Sequence, residues 1–396
     1  MINAGIASHS QPLEQHSAGA AICGIGTAVP EHRFSQDDAA RQLEQAFAEQ
    51  PDAMRWMKRV LRQCGVKTRY TCEPRLLNSS DASDTYRFLP STDVPPPNTE
   101  ERMHIYKRES VPLALRAARE ALEDANTAPD QITHLITVSC TGQFLPGLDA
   151  EVCWQLGLSP TVNRIPLTYL GCAAGLKAIG LAHDLCLGAQ SAKILVVCVE
   201  LCTLHIQPSS RREDLFAASF FGDGASACVV GAASSSGRKG SFRLGSGHSS
   251  LLPGTAKAMT WDVGNYGFKL YLSPDIPKLL GASLLSEICR LPGGDAPPEL
   301  WAIHPGGRGI VDAIQAVCGL TDDQTRFSRN VLLQYGNLSS ATILFVMHAM
   351  REELSLAGAG PKSGLALAFG PGLTAQLQTL TYVPPAYQSE VLEHGA

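Results

Sequence analysis

Three residues far apart in the chain, Cys172, His304 and Asn337, have the types and settings that thioester chemistry asks for. Cys172 lies in "LTYLGCAAGLKAIGLAHDL", residues 167–185, between an apolar run ending at Gly171 and a helical pattern whose Leu176, Ile179, Ala182 and Leu185 form one stripe. Gly171 permits a turn that other residues resist. A cysteine at a helix N-terminus meets unpaired N–H groups and the positive end of the dipole, and both favour the thiolate. His304 follows "LWAI" and precedes "PGGRG", which places its imidazole at a strand end, where α/β sheets receive ligands. Asn337 stands in "QYGNLSSATILF", ahead of a helical pattern from Ala341. Each has a plainer reading as a core thiol, a satisfied turn histidine or a helix N-cap. As a set they read as chemistry: an imidazole can hold a sulfur ionised, and an imidazole with an amide can grip an enolate oxygen. Cys172 is then expected to be the most readily alkylated of the twelve cysteines.

The elements that must hold these residues follow from pattern. At 396 residues the chain exceeds the ~250–300 at which single cores stop growing, so two lobes are expected. Residues 1–20 read as a loose tail, residues 21–240 as an N-terminal half with the cysteine, and residues 241–396 as a C-terminal half with the histidine and asparagine. A strand at "AAICGIGTAVP" precedes a helix from Ser35, whose "SQDD" resembles a capping box. Residues 78–99, rich in Ser, Asp and Pro, suit a long surface loop, and "GAASSSGRKGS" (231–241) suits a hinge. Val111, Leu115, Ala118 and Leu122 predict an amphipathic helix, and "HLITVSC" a buried strand. Both halves share a grammar of strand, glycine turn and helix, which suggests duplication.

Bulk properties narrow the class. A net charge of −5 argues against nucleic acid. The first twenty residues lack a signal peptide's basic start and apolar core, and no run approaches the ~20 apolar residues of a membrane span, so a cytoplasmic protein is expected. Among twelve cysteines there is no C-x-x-C pair, so metal spacing is absent and reduced thiols are expected. In that compartment the sequons at Asn78 and Asn337 carry no glycan meaning.

"GCAAG", "FGDGAS" (221–226), "IHPGG", "YGNLSSAT" and "FGPGLT" (369–374), in this order, resemble the type III polyketide synthases, the chalcone and stilbene synthase family. The likeness runs from about Gly24 to Tyr382, with Asn337 standing 33 positions after His304. It implies an α/β fold of thiolase type, five layers αβαβα in two duplicated halves, and a homodimer. It also implies roles: Cys172 takes a starter acyl group from coenzyme A, and His304 keeps the sulfur ionised. His304 with Asn337 binds malonyl-CoA for decarboxylation, and the carbanion attacks the acyl-Cys172 thioester. No metal or cofactor is implied, since the CoA thioesters are substrates. Phe221 matches the family's aromatic gate, and the second gate position falls on Leu270, with Phe268 two residues before it. Cys140, Cys202, His205, Ser339 and Pro371 fall at cavity positions, and Leu145 where the family sends a side chain across the dimer interface. Arg59, Arg62 and Lys67 are candidates for the phosphates of coenzyme A, a solvated helix face being the alternative. "SCTGQFLPG" and "RMHIY" resemble bacterial members, which points to a medium or long aliphatic starter and an alkylpyrone or alkylresorcinol product. An initiating ketoacyl-ACP synthase and a catalytically silent thiolase-fold assembly protein are the competing readings.

Overall fold

The computed structural model describes residues 19–76, 95–233, 238–291 and 297–385. The tail through residue 18, Asn78 and most of the expected 78–99 loop, and residues 234–237 of the expected hinge lie outside these. Nine strands form one sheet in the order Leu300–Ile303, Lys362–Gly370, Thr374–Val383, Ser241–Leu251, Ala20–Ala28, Asp223–Ala232, Ile194–Leu201, His134–Val138 and Asn163–Leu167. The sheet is two half-sheets joined edge to edge through Ala21–Arg243 and Ile22–Phe242 pairs.

The halves repeat one pattern. In the N-terminal half Ala20–Ala28 pairs antiparallel with Asp223–Ala232, which pairs antiparallel with Ile194–Leu201, which pairs parallel with His134–Val138. In the C-terminal half Ser241–Leu251, Thr374–Val383, Lys362–Gly370 and Leu300–Ile303 follow each other with the same directions. The duplication suggested by the sequence is a duplication of strand order and polarity.

Side-chain alternation assigns the layers. Along Ile194–Leu201, Ile194, Val196 and Cys198 pack into a central core, whereas Leu195, Val197, Val199 and Leu201 pack into an outer one. Both faces are covered, so the strand reads as an uninterrupted apolar run. The outer core holds the helix Thr99–Asp124 through Val111, Ala114 and Ala118. The central core holds Ala174–Gly188 and Thr342–Leu356 through Leu176, Ile179, Ile343 and Val346. In the other half Ala366 and Ala368 face this core, and Leu365 and Leu367 face a third, under Ile276–Ile288 and Arg308–Cys318. Helix, half-sheet, two helices, half-sheet and helix make the five layers.

Local chemistry explains several element ends. Ser35 and Asp38 form the expected capping box. That helix stops at Ala46, and a second, Pro51–Gln63, begins with proline in its first turn, where a missing N–H costs nothing. Thr99–Asp124 starts earlier than apolar spacing indicated: Asn98 and Glu101 cap it, and Pro112 lies inside it. Among the described residues no helix is long and apolar enough to cross a membrane.

Candidate active site

The two central helices point their N-termini at one place. Each is preceded by a tight 3-10 turn, Gly171–Ala173 before one and Ser339–Ala341 before the other. Gly171 has φ +54°, and a Cβ there would stand 2.5 Å from Pro371 Cδ, so glycine is required twice over. The turn presents Cys172, whose Sγ lies 3.9 Å from Asn337 Oδ1, 3.8 Å from Asn337 Nδ2 and 3.8 Å from Ser339 Oγ.

Asn337 is held from both ends. Its backbone bridges to Phe221: Asn337 N–H donates to Phe220 O at 2.9 Å, and Gly222 N–H donates to Asn337 O at 3.1 Å. Its Oδ1 accepts from Ser339 N–H at 2.8 Å, which fixes the amide so that Nδ2 faces Gly306 O (3.3 Å) and the sulfur. The amide oxygen thus serves the turn, and the amide nitrogen is left facing the sulfur.

His304 extends the parallel ladder one residue beyond Leu300–Ile303, its N–H donating to Leu367 O at 2.8 Å. Strand parity with Ala302 turns it toward the central layer. It is 1% exposed, and neither ring nitrogen has a hydrogen-bond partner. A buried imidazole that is left unpaired costs free energy, and such exceptions call for a reason. The reason available here is a bound molecule in the adjoining space.

That space is a cavity of about 460 Å³ that brings together Cys172, His304, Asn337, Phe221, Leu270, Cys140, Cys202, His205, Ser339 and Pro371. Leu270 and Phe268 both line it, being two apart on the strand Gly267–Leu272 and so on one face. Leu145 does not line it and is 92% exposed. Arg59, Arg62 and Lys67 are exposed and also outside the wall. The same helix supplies Val60 and Gln63 to the cavity's edge, beside Cys64 and Arg308. Arg308 is a cation that the sequence reading passed over.

The pattern also passed over an aromatic wall. Met259–Gly264 pairs with Gly267–Leu272 as a hairpin, a signal present in the alternation of "MTWDVGNYGFKLYL". Trp261 stacks on Phe268 with centroids 4.5 Å apart, and Phe268 stacks on His205 at 4.3 Å. His205 Nε2 donates to Thr141 O at 2.6 Å, while Nδ1 accepts from Phe268 N–H at 3.0 Å. Both nitrogens are thus committed, and burial holds the ring down to about 3, neutral through the physiological range.

Burial also decides the charge of the central group. It pushes the Cys172 thiol up to about 11, outweighing the hydrogen bonds from Ser339 and Asn337, and holds His304 down to about 3. Burial therefore opposes the thiolate expected at rest and favours the neutral imidazole. Desolvation works against the helix-end effect because Cys172 is only 8% exposed. Cys140, whose sulfur accepts from Gly171 N–H at 3.1 Å, and Cys202 are driven well above the ordinary range by the same cause.

Residues 8–234 match the family model for the N-terminal domain of chalcone and stilbene synthases, and residues 243–384 match that for the C-terminal domain. The chain is 30% identical over 364 residues to an alpha-pyrone synthesis polyketide synthase-like protein, Pks18, of Mycobacterium tuberculosis, covering 90% of each. It is 31% identical over 363 residues to the 1,3,6,8-tetrahydroxynaphthalene synthase of Streptomyces coelicolor, covering 90% of this chain and 91% of that one. The crystal structure of PKS-I from the brown alga Ectocarpus siliculosus superimposes with a TM-score of 0.83 at 27% identity, over 92% of this chain and 98% of that one.

Proposed function

Because this chain belongs to the chalcone and stilbene synthase family, the type III polyketide synthases, we propose that its cavity loads an aliphatic acyl-CoA on Cys172, extends it with malonyl-CoA and releases an alkylpyrone or alkylresorcinol. Enzymes of this family are acyltransferases that perform decarboxylative condensation. The observation that carries the residue assignment is the meeting of Cys172 Sγ with the oriented Asn337 amide in a cavity shared with a partnerless His304.

In the proposed reaction the Cys172 sulfur attacks the starter thioester as its proton passes to a free nitrogen of His304, and coenzyme A leaves as the thiol. Malonyl-CoA then loses carbon dioxide. The electron pair of the broken C–C bond moves into an enolate, whose oxygen takes hydrogen bonds from Asn337 Nδ2 and His304. The enolate carbon attacks the acyl-Cys172 carbonyl, a C–C bond forms, and sulfur departs. Return of the lengthened chain to Cys172 permits another round. The sequence needs no cofactor beyond the CoA thioesters themselves. Arg59, Arg62 and Lys67, with Arg308 at the cavity edge, supply positive charge for the coenzyme's phosphates.

The starter assignment rests on what the wall offers. Loss of an aromatic at Leu270 does not strip the cavity of aromatic surface, because Phe268 and Trp261 provide it. Away from Cys172, His304 and Asn337, several polar groups of the wall are already hydrogen-bonded. His205 is bonded on both sides, Gln207 Nε2 donates to the carbonyls of His205, Tyr266 and Phe268, and Thr203 Oγ donates to Asp223. Such a wall gives a phenolic hydroxyl little, whereas each buried methylene gains ~0.8 kcal/mol. The alkylpyrone reading draws on the name of the mycobacterial relative. The exposed Leu145 supports a homodimer in which that side chain is covered.

The test is a competition in which acetyl-, hexanoyl-, lauroyl-, palmitoyl- and p-coumaroyl-CoA are offered together with malonyl-CoA. Preferential consumption of the longer aliphatic thioesters is expected. Consumption of p-coumaroyl-CoA, or of malonyl-CoA alone, would overturn the starter assignment, and failure to release carbon dioxide from malonyl-CoA would overturn the reaction.

A further inference from the structure

A guanidinium taken out of water is costly unless the surroundings satisfy it, and a carboxylate is its usual partner. Arg69, on the strand Thr68–Thr71, is 1% exposed and forms no ion pair among the described residues. Nη1 instead donates to Ala218 O and Phe221 O, both at 2.8 Å, and Nη2 to Gln36 Oε1 at 3.0 Å. The guanidinium carbon lies 4.7 Å from the centroid of the Phe34 ring. Burial pulls the group down only to about 10, so it stays charged at neutral pH.

Its acceptors have a common place in the fold. Ala218 and Phe221 belong to the C-terminal end of the helix Arg212–Phe220, where carbonyls lack helical partners and the dipole is negative. Phe220 and Gly222 exchange backbone bonds with Asn337, and Gly336 lies against the Arg69 stem, where a Cβ would approach Arg69 Cγ to 3.0 Å. Both Phe221 and Asn337 line the cavity. The charge therefore stands behind the junction of the two halves that carries these two residues.

We propose that Arg69 is a positioning residue that holds Phe221 and the Asn337 amide in register by clamping the 218–222 and 335–337 segments together. The proposal rests on the reading of Asn337 given above for its kinetic consequence, but not for its structural one. Lysine cannot replace the fork, because one ammonium cannot serve two carbonyls and Gln36 in a single plane.

Hydrogen–deuterium exchange on the full chain, wild type against Arg69→Lys, tests the clamp directly. Amide exchange is expected to rise in peptides covering 220–222 and 335–338 while the central strand Ile194–Leu201 is unchanged. In the same preparations malonyl-CoA decarboxylation should fall ~10- to 100-fold, the scale of a 1 Å misplacement, with starter loading on Cys172 kept within ~3-fold. Gln36→Met, which removes one of the three acceptors, should shift both readouts the same way by less, and it serves the exchange test if Arg69→Lys does not fold. Unchanged exchange in the two segments, or a rise shared by the whole chain, overturns the proposal. A wild-type enzyme that releases no carbon dioxide would instead refute the functional reading, and the exchange data would still decide the role of Arg69.

Discussion

The two halves build the same device and use it differently. Leu170, Gly171, Cys172 and Ala173 in one correspond to Leu338, Ser339, Ser340 and Ala341 in the other, with φ +54° at Gly171 and +48° at Ser339. Cys172 turns its sulfur to the cavity, whereas Ser340, at the matching position, donates its hydroxyl to the buried carboxylate of Glu200. The strand ends differ the other way round. Ser139 follows His134–Val138 and is bonded to Tyr106 Oη at 2.7 Å, while His304 follows Leu300–Ile303 and has no partner. Each half thus turns one of these groups to the cavity and ties off the other. A duplicated frame supplies two candidate positions for each role, and the neighbours decide which becomes reactive.

The largest effect should come from exchanging these fates. Cys172→Ala removes the acyl acceptor and should bring condensation to background, whereas Ser340→Ala should retain most condensation at some cost in stability. Equal loss in both variants, measured as malonyl-dependent product, would remove the distinction between the halves. Alkylation sharpens the same point. A thiol pushed up to about 11 is little ionised at neutral pH, so exposed Cys289 should take iodoacetamide before Cys172, and Cys172 labelling should climb with each unit of pH below 11.

Next in size is Asn337→Ala. The amide acts on the malonyl thioester, so starter loading should survive while extension falls ~10²–10³-fold, the usual cost of one oxyanion donor. Mass analysis of acyl-Cys172 alongside carbon dioxide release separates the two steps. Normal decarboxylation would leave Asn337 with a structural role, through its bonds to Ser339 N–H and Gly306 O.

The candidate positions were legible because each has a local signal: a glycine before the cysteine, a strand before the histidine, a turn before the asparagine. In the wall, His205, Phe268 and Leu270 were placed only through the family resemblance and Trp261 was missed, because the wall is assembled at long range. His205, Phe268 and Trp261 stack only after the hairpin Met259–Leu272 folds back on the segment after Ile194–Leu201, and no period in the sequence announces that contact. Thr374–Val383 went unread although "TAQLQTLTYV" stops at Pro384 and Pro385, and it joins two strands of the C-terminal half. The expected charge of Cys172 meets an opposing effect for a related reason. Helix-end position is a local property, but desolvation depends on everything packed around the sulfur.

A smaller and more selective effect is expected at the wall. Trp261 is the cavity-facing end of the stack and is half-buried, so Trp261→Ala should cost less than the ~3–5 kcal/mol typical of a core tryptophan. The freed volume should favour longer starters, moving the palmitoyl-to-hexanoyl ratio of kcat/KM by roughly tenfold, about 1.4 kcal/mol and within the range of one or two methylenes. An unchanged ratio would show that the acyl chain runs elsewhere in the cavity. Leu270→Ala, on the opposite strand of the same hairpin, provides the control for simple enlargement.

The smallest effect concerns the group that ties off Ser340. Glu200 is fully buried and accepts from Cys140 N–H at 3.1 Å, Thr141 Oγ at 2.8 Å and Ser340 Oγ. Burial pushes its carboxyl up from 4.5 to about 7 despite those donors. An acid whose folded pKa lies above its unfolded one is deprotonated first in the unfolded chain. Between pH 4.5 and 7 the unfolded state therefore holds fewer protons, and Glu200 lowers stability as pH rises through that window. Asp223, raised from 3.8 to about 6, acts in the same direction, while His205 and His304, held down from 6.5 to about 3, remove stability as pH falls. Comparison with Glu200→Gln cancels these shared contributions. The melting temperature of the variant minus that of the wild type should increase by a few degrees from pH 4.5 to 7. Glutamine turns one acceptor into a donor and so lowers the whole difference, but that offset does not depend on pH. A difference that stays flat across the window would mean that Glu200 is ionised throughout and that Ser340 is held by a charge rather than by a neutral acid.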